Sequence, residues 1–183
     1  MKTLTAVLLT ALSVSAVTAF AQPSADAKAR GHFDFYGRGA HRAMRGARES
    51  TGSFREYIRS TQPDATTVVG EQPRERVSPR IAQAAVDDIG DYMAKSEKHL
   101  AWMRRQAEAS ADKDTLASLD SIDRNLAAAK RSHATLCSCC LEDNVDAKAA
   151  MACCQTIDDA LGKAIAEHDA LMKRLAQRPP LLK

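Results

Sequence analysis

Between Ala150 and Leu175 the sequence sets Ala150, Cys154, Ile157, Leu161, Ala164, His168, Leu171 and Leu175 at alternating steps of four and three. That spacing draws one stripe down an α-helix, and Pro179-Pro180 stops it. A stripe this regular has to be covered, and the natural cover is another helix of the same period. The chain supplies candidates. Leu119, Ile122, Leu126, Ala129, His133, Leu136 and Cys140 form one stripe, and Ile81, Ala85, Ile89, Tyr92, Ser96, His99 and Met103 form another. Ser78-Pro79 reads as the cap and first residue of the latter. Ala40, Met44, Ala47, Thr51, Phe54 and Ile58 make a further stripe, weakened by Gly46 and Gly52.

The breaks between the last three segments are short and polar. "EASADKD" offers Asp112 or Asp114 as the cap of the next helix. "LEDNVD" offers Asn144 as a cap, with Asp143 and Asp146 where the helix dipole favours negative charge. Helices joined this closely fold back as antiparallel neighbours. Few aromatic residues, 4% of the chain, argue against strands. The expected fold is an all-α, antiparallel helical bundle of four helices, or of three long helices with a loosely docked N-terminal one. In order, the chain divides into a leader (1–21), a flexible arm (22–39), an N-terminal helix (40–60), a linker (61–78), a three-helix core (79–177) and a tail (178–183).

The leader has Lys2, the uncharged apolar run Leu4 to Val17, and Ala19-Phe20-Ala21 as a cleavage signal before Gln22. This is the layout of a secretory signal peptide, and it predicts an exported, periplasmic or secreted protein. The apolar run is shorter than the ~20 residues of a spanning helix. A net charge of +3 is too small to argue for nucleic acid. Arg30, Arg38, Arg42, Arg45, Arg48 and Arg55 make the most biased segment. It reads as a solvated face, or as a surface for an acidic or envelope partner. Self-association into a homo-oligomer is compatible with the bundle and is not specified by it.

All five cysteines fall in "HATLCSCCLEDNVDAKAAMACCQTI". With the turn near Asn144, His133 comes level with about Gln155 and is expected to face Cys154. Cys137 and Cys140 straddle one stripe, Cys153 and Cys154 straddle the facing one, and Cys139 points away. Thiolates and imidazole converging in one hairpin suit Cu(I) or Zn(II), which gives Cys137, Cys140, Cys153, Cys154 and His133 as candidate ligands. The rival reading is a disulfide from Cys137 to Cys153 or Cys154, closing a loop of roughly 15 residues in a structural or interaction protein. An odd cysteine count leaves at least one thiol outside any intrachain pairing.

His99 and His168 lie on their stripes, and folding about Ser110 brings His99 near the level of Asp123. His99, Asp123 and His168 are therefore a second candidate set, for a harder divalent ion. The competing reading is that each histidine specifies helix register through a hydrogen bond. No Glu-x-x-His pair of a di-iron bundle is present, and neither is a Gly-rich phosphate loop, a nucleophile elbow or a His-Glu-x-x-His helix. The reading is thus of a binding protein, not an enzyme.

The stretch "HATLCSCCLEDNVDAKAAMACCQTIDDA" resembles the second-to-third helix hairpin of cysteine-rich four-helix-bundle copper-binding proteins of the copper-storage type. The resemblance implies Cu(I)–thiolate ligation by Cys137, Cys140, Cys153 and Cys154, with His133 beside them. Storage bundles line every helix with thiols, whereas Ile81 to Met103 and Leu161 to Leu175 here contain none. Buffering, sensing or shuttling of the metal is therefore the role expected, in place of bulk storage.

Overall fold

The computed structural model describes residues 25–62, 76–140 and 145–178. Within them the chain forms α1 (Ala25–Thr61), α2 (Pro79–Ala109), α3 (Lys113–Cys140) and α4 (Ala147–Gln177). The leader, most of the linker, Asn144 with Asp143, and the last five residues lie outside the described residues. Each helix packs on its sequence neighbour, and α4 closes the ring against α1. Cross-helix contacts run in opposite senses at every seam. Tyr36 meets Trp102 while Tyr57 meets Ser78, and His41 meets Asp169 while Arg55 meets Gln155. The result is an antiparallel four-helix bundle with α1 as a full member. No helix among the described residues is long and apolar enough to cross a membrane.

The stripes read from sequence are the core on three helices. Ala40, Met44, Ala47, Thr51, Phe54 and Ile58 are buried on α1, as are Ala150 to Leu171 at the expected positions on α4. On α3 the expected stripe is buried except at His133, which is half-buried. On α2 the buried line is Ala82, Val86, Ile89, Met93, Ser96, Leu100 and Met103. Expected and observed lines share Ile89, Ser96 and Met103 but differ between those points. The line through Val86, Met93 and Leu100 is the more apolar, so it takes the core, and Tyr92 and His99 move to the flank. Ile81 is left 48% exposed.

The segment 22–39, expected as a flexible arm, is helical from Ala25 onward and continuous with the rest of α1. It read as irregular because its apolar residues show no helical period, and here its glycines allow close packing. A Cβ at Gly39 would sit 2.6 Å from the His99 ring, and one at Gly37 would sit 2.6 Å from Met172. Tyr36 stacks on Trp102 with ring centroids 3.9 Å apart. These contacts cover the first part of α1, so tertiary packing overrides the helix cost of glycine. Three arginines of the Arg-rich stretch have partners within the molecule. Arg48 bonds Asp158 at 2.6 Å, Arg55 bonds Gln155 at 2.9 Å, and Arg38 pairs with Asp34 at 2.6 Å.

The α2–α3 connection is built from local hydrogen bonds. The Asp112 amide donates to the Ala107 carbonyl at 2.9 Å and the Ala111 amide to Glu108 at 3.0 Å, which closes α2 in a Schellman motif. Ala111 takes the left-handed position, φ 53°, where glycine is usual. Asp112 then caps α3, accepting from the Thr115 amide at 3.1 Å and its hydroxyl at 2.7 Å. Arg178 at the end of α4 closes onto the same carboxylate. Burial alone raises the pKa of Asp112, but Arg178 and the Thr115 bonds outweigh it and pull it down to about 2. At the opposite end Asp146, instead of Asn144, caps α4 by accepting from the Ala149 amide at 3.0 Å.

Ala111→Gly should raise stability by up to about 1 kcal/mol, because relief of the left-handed alanine exceeds the added chain entropy. A higher urea midpoint at unchanged slope checks this. Asp112→Ala should cost about 1 kcal/mol. Because the folded pKa is depressed, that contribution is present above the ordinary value of 3.8 and is lost as pH falls toward 2. Paired urea titrations of parent and variant should therefore converge across that interval.

Candidate metal centre

Cys140, Cys153 and Cys154 are buried, and Cys137 is half-buried. The α3–α4 seam that holds them is also tied by Ser132, whose hydroxyl donates to the Cys153 carbonyl at 3.1 Å. Cys137, Cys140, Cys153 and Cys154 are thiols with no disulfide among them. No three of these sulfurs and the His133 nitrogens lie within 4.8 Å of one another, but the thiols are near enough to sense each other's charge. Charge on Cys137 or Cys153 would be felt at Cys140, and charge on Cys140 or Cys153 at Cys154. Burial pushes Cys140 up to about 11 and Cys154 up to about 12, and the neighbouring thiols reinforce both shifts. Arg55 partly opposes the shift at Cys154.

His133 sits differently from the expectation that it faces Cys154. Its ring points into the α2–α3 seam, where Gly90 leaves space that a Cβ would narrow to 3.0 Å. Nε2 lies 2.8 Å from the Val86 carbonyl. A carbonyl only accepts, so Nε2 carries the proton in that bond, and a neutral ring would then have its lone pair on Nδ1. Cys137 Sγ stands beside the same ring, 3.8 Å from Nδ1 and 3.9 Å from Nε2. A backbone carbonyl holding the far nitrogen is the usual support of a ligating histidine. The expectation that His133 faces Cys154 came from its level along the hairpin, which does not fix the direction of the ring around α3.

His99, Asp123 and His168 occupy three different seams. His99 packs between α1 and α2, against Gly39 and at 5.8 Å from the Tyr36 ring. Asp123 accepts from Arg104 at 2.7 Å between α2 and α3. His168 lies between α4 and α1. The second candidate set is therefore not assembled, because once Tyr92 and His99 lie on the flank of α2 they turn toward α1.

His168 has other neighbours. His41 Nδ1 is 2.9 Å from Asp169 Oδ1, and His168 Nδ1 is 3.9 Å from the same oxygen. The two imidazole rings are 5.7 Å apart. Among the described residues, His41, His168 and Asp169 are the set whose donor atoms all lie within 4.8 Å of one another. His168 is 1% exposed, and both its ring nitrogens lack a hydrogen-bond partner. Burial and the adjacent His41 hold its pKa down at about 4, against the opposing pull of Asp169 and the Gly37 carbonyl, which are near the ring but make no hydrogen bond of normal geometry to it. The imidazole is accordingly neutral at neutral pH. Sequence reasoning found His168 but missed His41 and Asp169. Both are one residue from a core position, which is the signal that marks them once α1 is laid against α4.

Fold and donors together define an all-α bundle with buried thiols at one end of the α3–α4 seam and a histidine–aspartate cluster between α1 and α4. Compared with protein-family models, curated proteins and solved structures, the chain has no match.

Thiol reactivity follows burial and pKa. Under native conditions at neutral pH, iodoacetamide should label Cys137 before Cys140 and Cys154, as read by peptide mass spectrometry. In urea the difference between these sites should vanish.

Proposed function

We propose that this chain is an exported helical-bundle protein that binds a soft metal ion, Cu(I) or Zn(II), at the cysteine end of α3 and α4, and that it buffers, senses or shuttles that ion. The observation that carries the reading is the run of neighbouring donors, from His133 through Cys137 and Cys140 to Cys153 and Cys154, in a largely buried seam. Thiolates select soft ions, and His133 keeps a supported ring nitrogen for the same purpose. Two sulfurs suffice for Cu(I), and Cys140 with Cys153 or Cys154 brings them from facing helices. Tetrahedral Zn(II) takes four donors, which this run supplies only after its side chains close together, since no three of its donor atoms lie within 4.8 Å of one another.

The high pKa values of Cys140 and Cys154 have a consequence for binding. The ion must displace protons from buried thiols, so uptake releases protons and strengthens as pH rises. The leader at residues 1–21 supports export, where metal ions arrive from outside the cell.

Anaerobic titration of the reduced protein with Cu(I), competed against a chelating indicator, should show tight stoichiometric binding. Cys140→Ser, Cys154→Ser should lose it while keeping the helical circular dichroism of the parent. Absence of uptake after reduction, with intact mass showing two disulfides in protein taken from its native compartment, would establish the cross-linked structural reading instead.

A further inference from the structure

We propose a second metal site, independent of the cysteine seam, in which His41, His168 and Asp169 hold one divalent transition-metal ion between α1 and α4. Three observations point to it. The donor atoms of the three side chains already lie within 4.8 Å of one another. His168 is almost fully enclosed, yet neither ring nitrogen has a hydrogen-bond partner. Buried polar groups in folded proteins nearly always have one, so an imidazole left in this state marks a position where a ligand completes it. The three side chains also line a cavity of about 600 Å³ that Asp34, Arg38, Arg42, Arg45 and Glu49 border.

The donor chemistry narrows the ion. Two imidazoles and one carboxylate suit Zn(II) or Fe(II), whereas Cu(I) prefers the sulfurs of the other seam. Zinc–nitrogen bonds of about 2.0–2.1 Å place adjacent tetrahedral ligands roughly 3.3 Å apart. The His41 to Asp169 separation of 2.9 Å is close to that value. The His168 to Asp169 separation of 3.9 Å would have to contract by roughly 0.6 Å on binding. Three protein ligands leave at least one position of the ion facing the cavity, where water or a solute completes it.

The two sites are far apart. His168 stands about four helical turns from Cys154, or ~21 Å along α4. One can therefore be removed without touching the other. Nothing in this assignment depends on the cysteines binding metal.

The test uses the full mature chain carrying Cys137→Ser, Cys140→Ser, Cys153→Ser and Cys154→Ser, titrated calorimetrically with Zn(II) near neutral pH. One ion per chain should bind, and the ring resonances of His41 and His168 should shift together in NMR spectra. Asp169→Asn changes a side chain that is 58% exposed, so it should leave the fold intact while weakening uptake. His168→Leu should abolish uptake with the helical signal retained. If the four-serine chain is poorly folded, alkylation of the native protein in urea followed by refolding supplies a thiol-blocked parent for the same titrations. Zn(II) uptake that is unchanged by Asp169→Asn and His168→Leu would overturn the proposal, as would no uptake by a folded thiol-blocked chain.

Discussion

Burial of the α4 stripe against both α1 and α3 is the constraint on which the rest of the molecule depends. One edge of that stripe carries Cys153 and Cys154 into the α3 seam, and a residue four turns on carries His168 into the α1 seam. Both donor sets are therefore side products of a single apolar line that uses polar or soft residues at a few of its positions. Isoleucine, leucine and alanine at the remaining positions supply the packing that holds them.

Close approach of helices does the second part of the work. Gly39, Gly46 and Gly90 each face an aromatic ring from a neighbouring helix, namely His99, Tyr92 and His133. In each case the missing Cβ is the space the ring occupies. Residues that lower helix propensity in isolation thus set which rings lie between which helices, a trade in which a small local cost is exchanged for a specific tertiary contact. The His133 ring illustrates the consequence. Its seat at Gly90 lets Nε2 reach the Val86 carbonyl and leaves Cys137 Sγ beside the ring, nearly equidistant from the two nitrogens.

Charged groups fasten the ends and flanks. Arg48 and Arg55 bridge α1 to α4, Arg104 bridges α2 to Asp120 and Asp123 of α3, and Arg178 joins the last turn of α4 to the cap of α3. Such exposed pairs add little each. Their effect is to favour one arrangement of four similar helices over alternatives with the same buried stripes.

The number of helices, their antiparallel order and most of their core positions were legible in the sequence, because a strict three-four spacing has only one way to bury itself along a helix. The gathering of Cys140, Cys153 and Cys154 in one seam was legible for the same reason, since a short break forces sequential helices together. What periodicity does not encode is rotation about each helix axis and the contact between helices distant in sequence. Two stripes of α2 shared three residues, and only packing chose the more apolar one, which moved His99 off the core. Pairing of α1 with α4 likewise exists only in three dimensions, so the meeting of His41 with His168 and Asp169 was decided by the closed ring of helices and by nothing nearer in the chain.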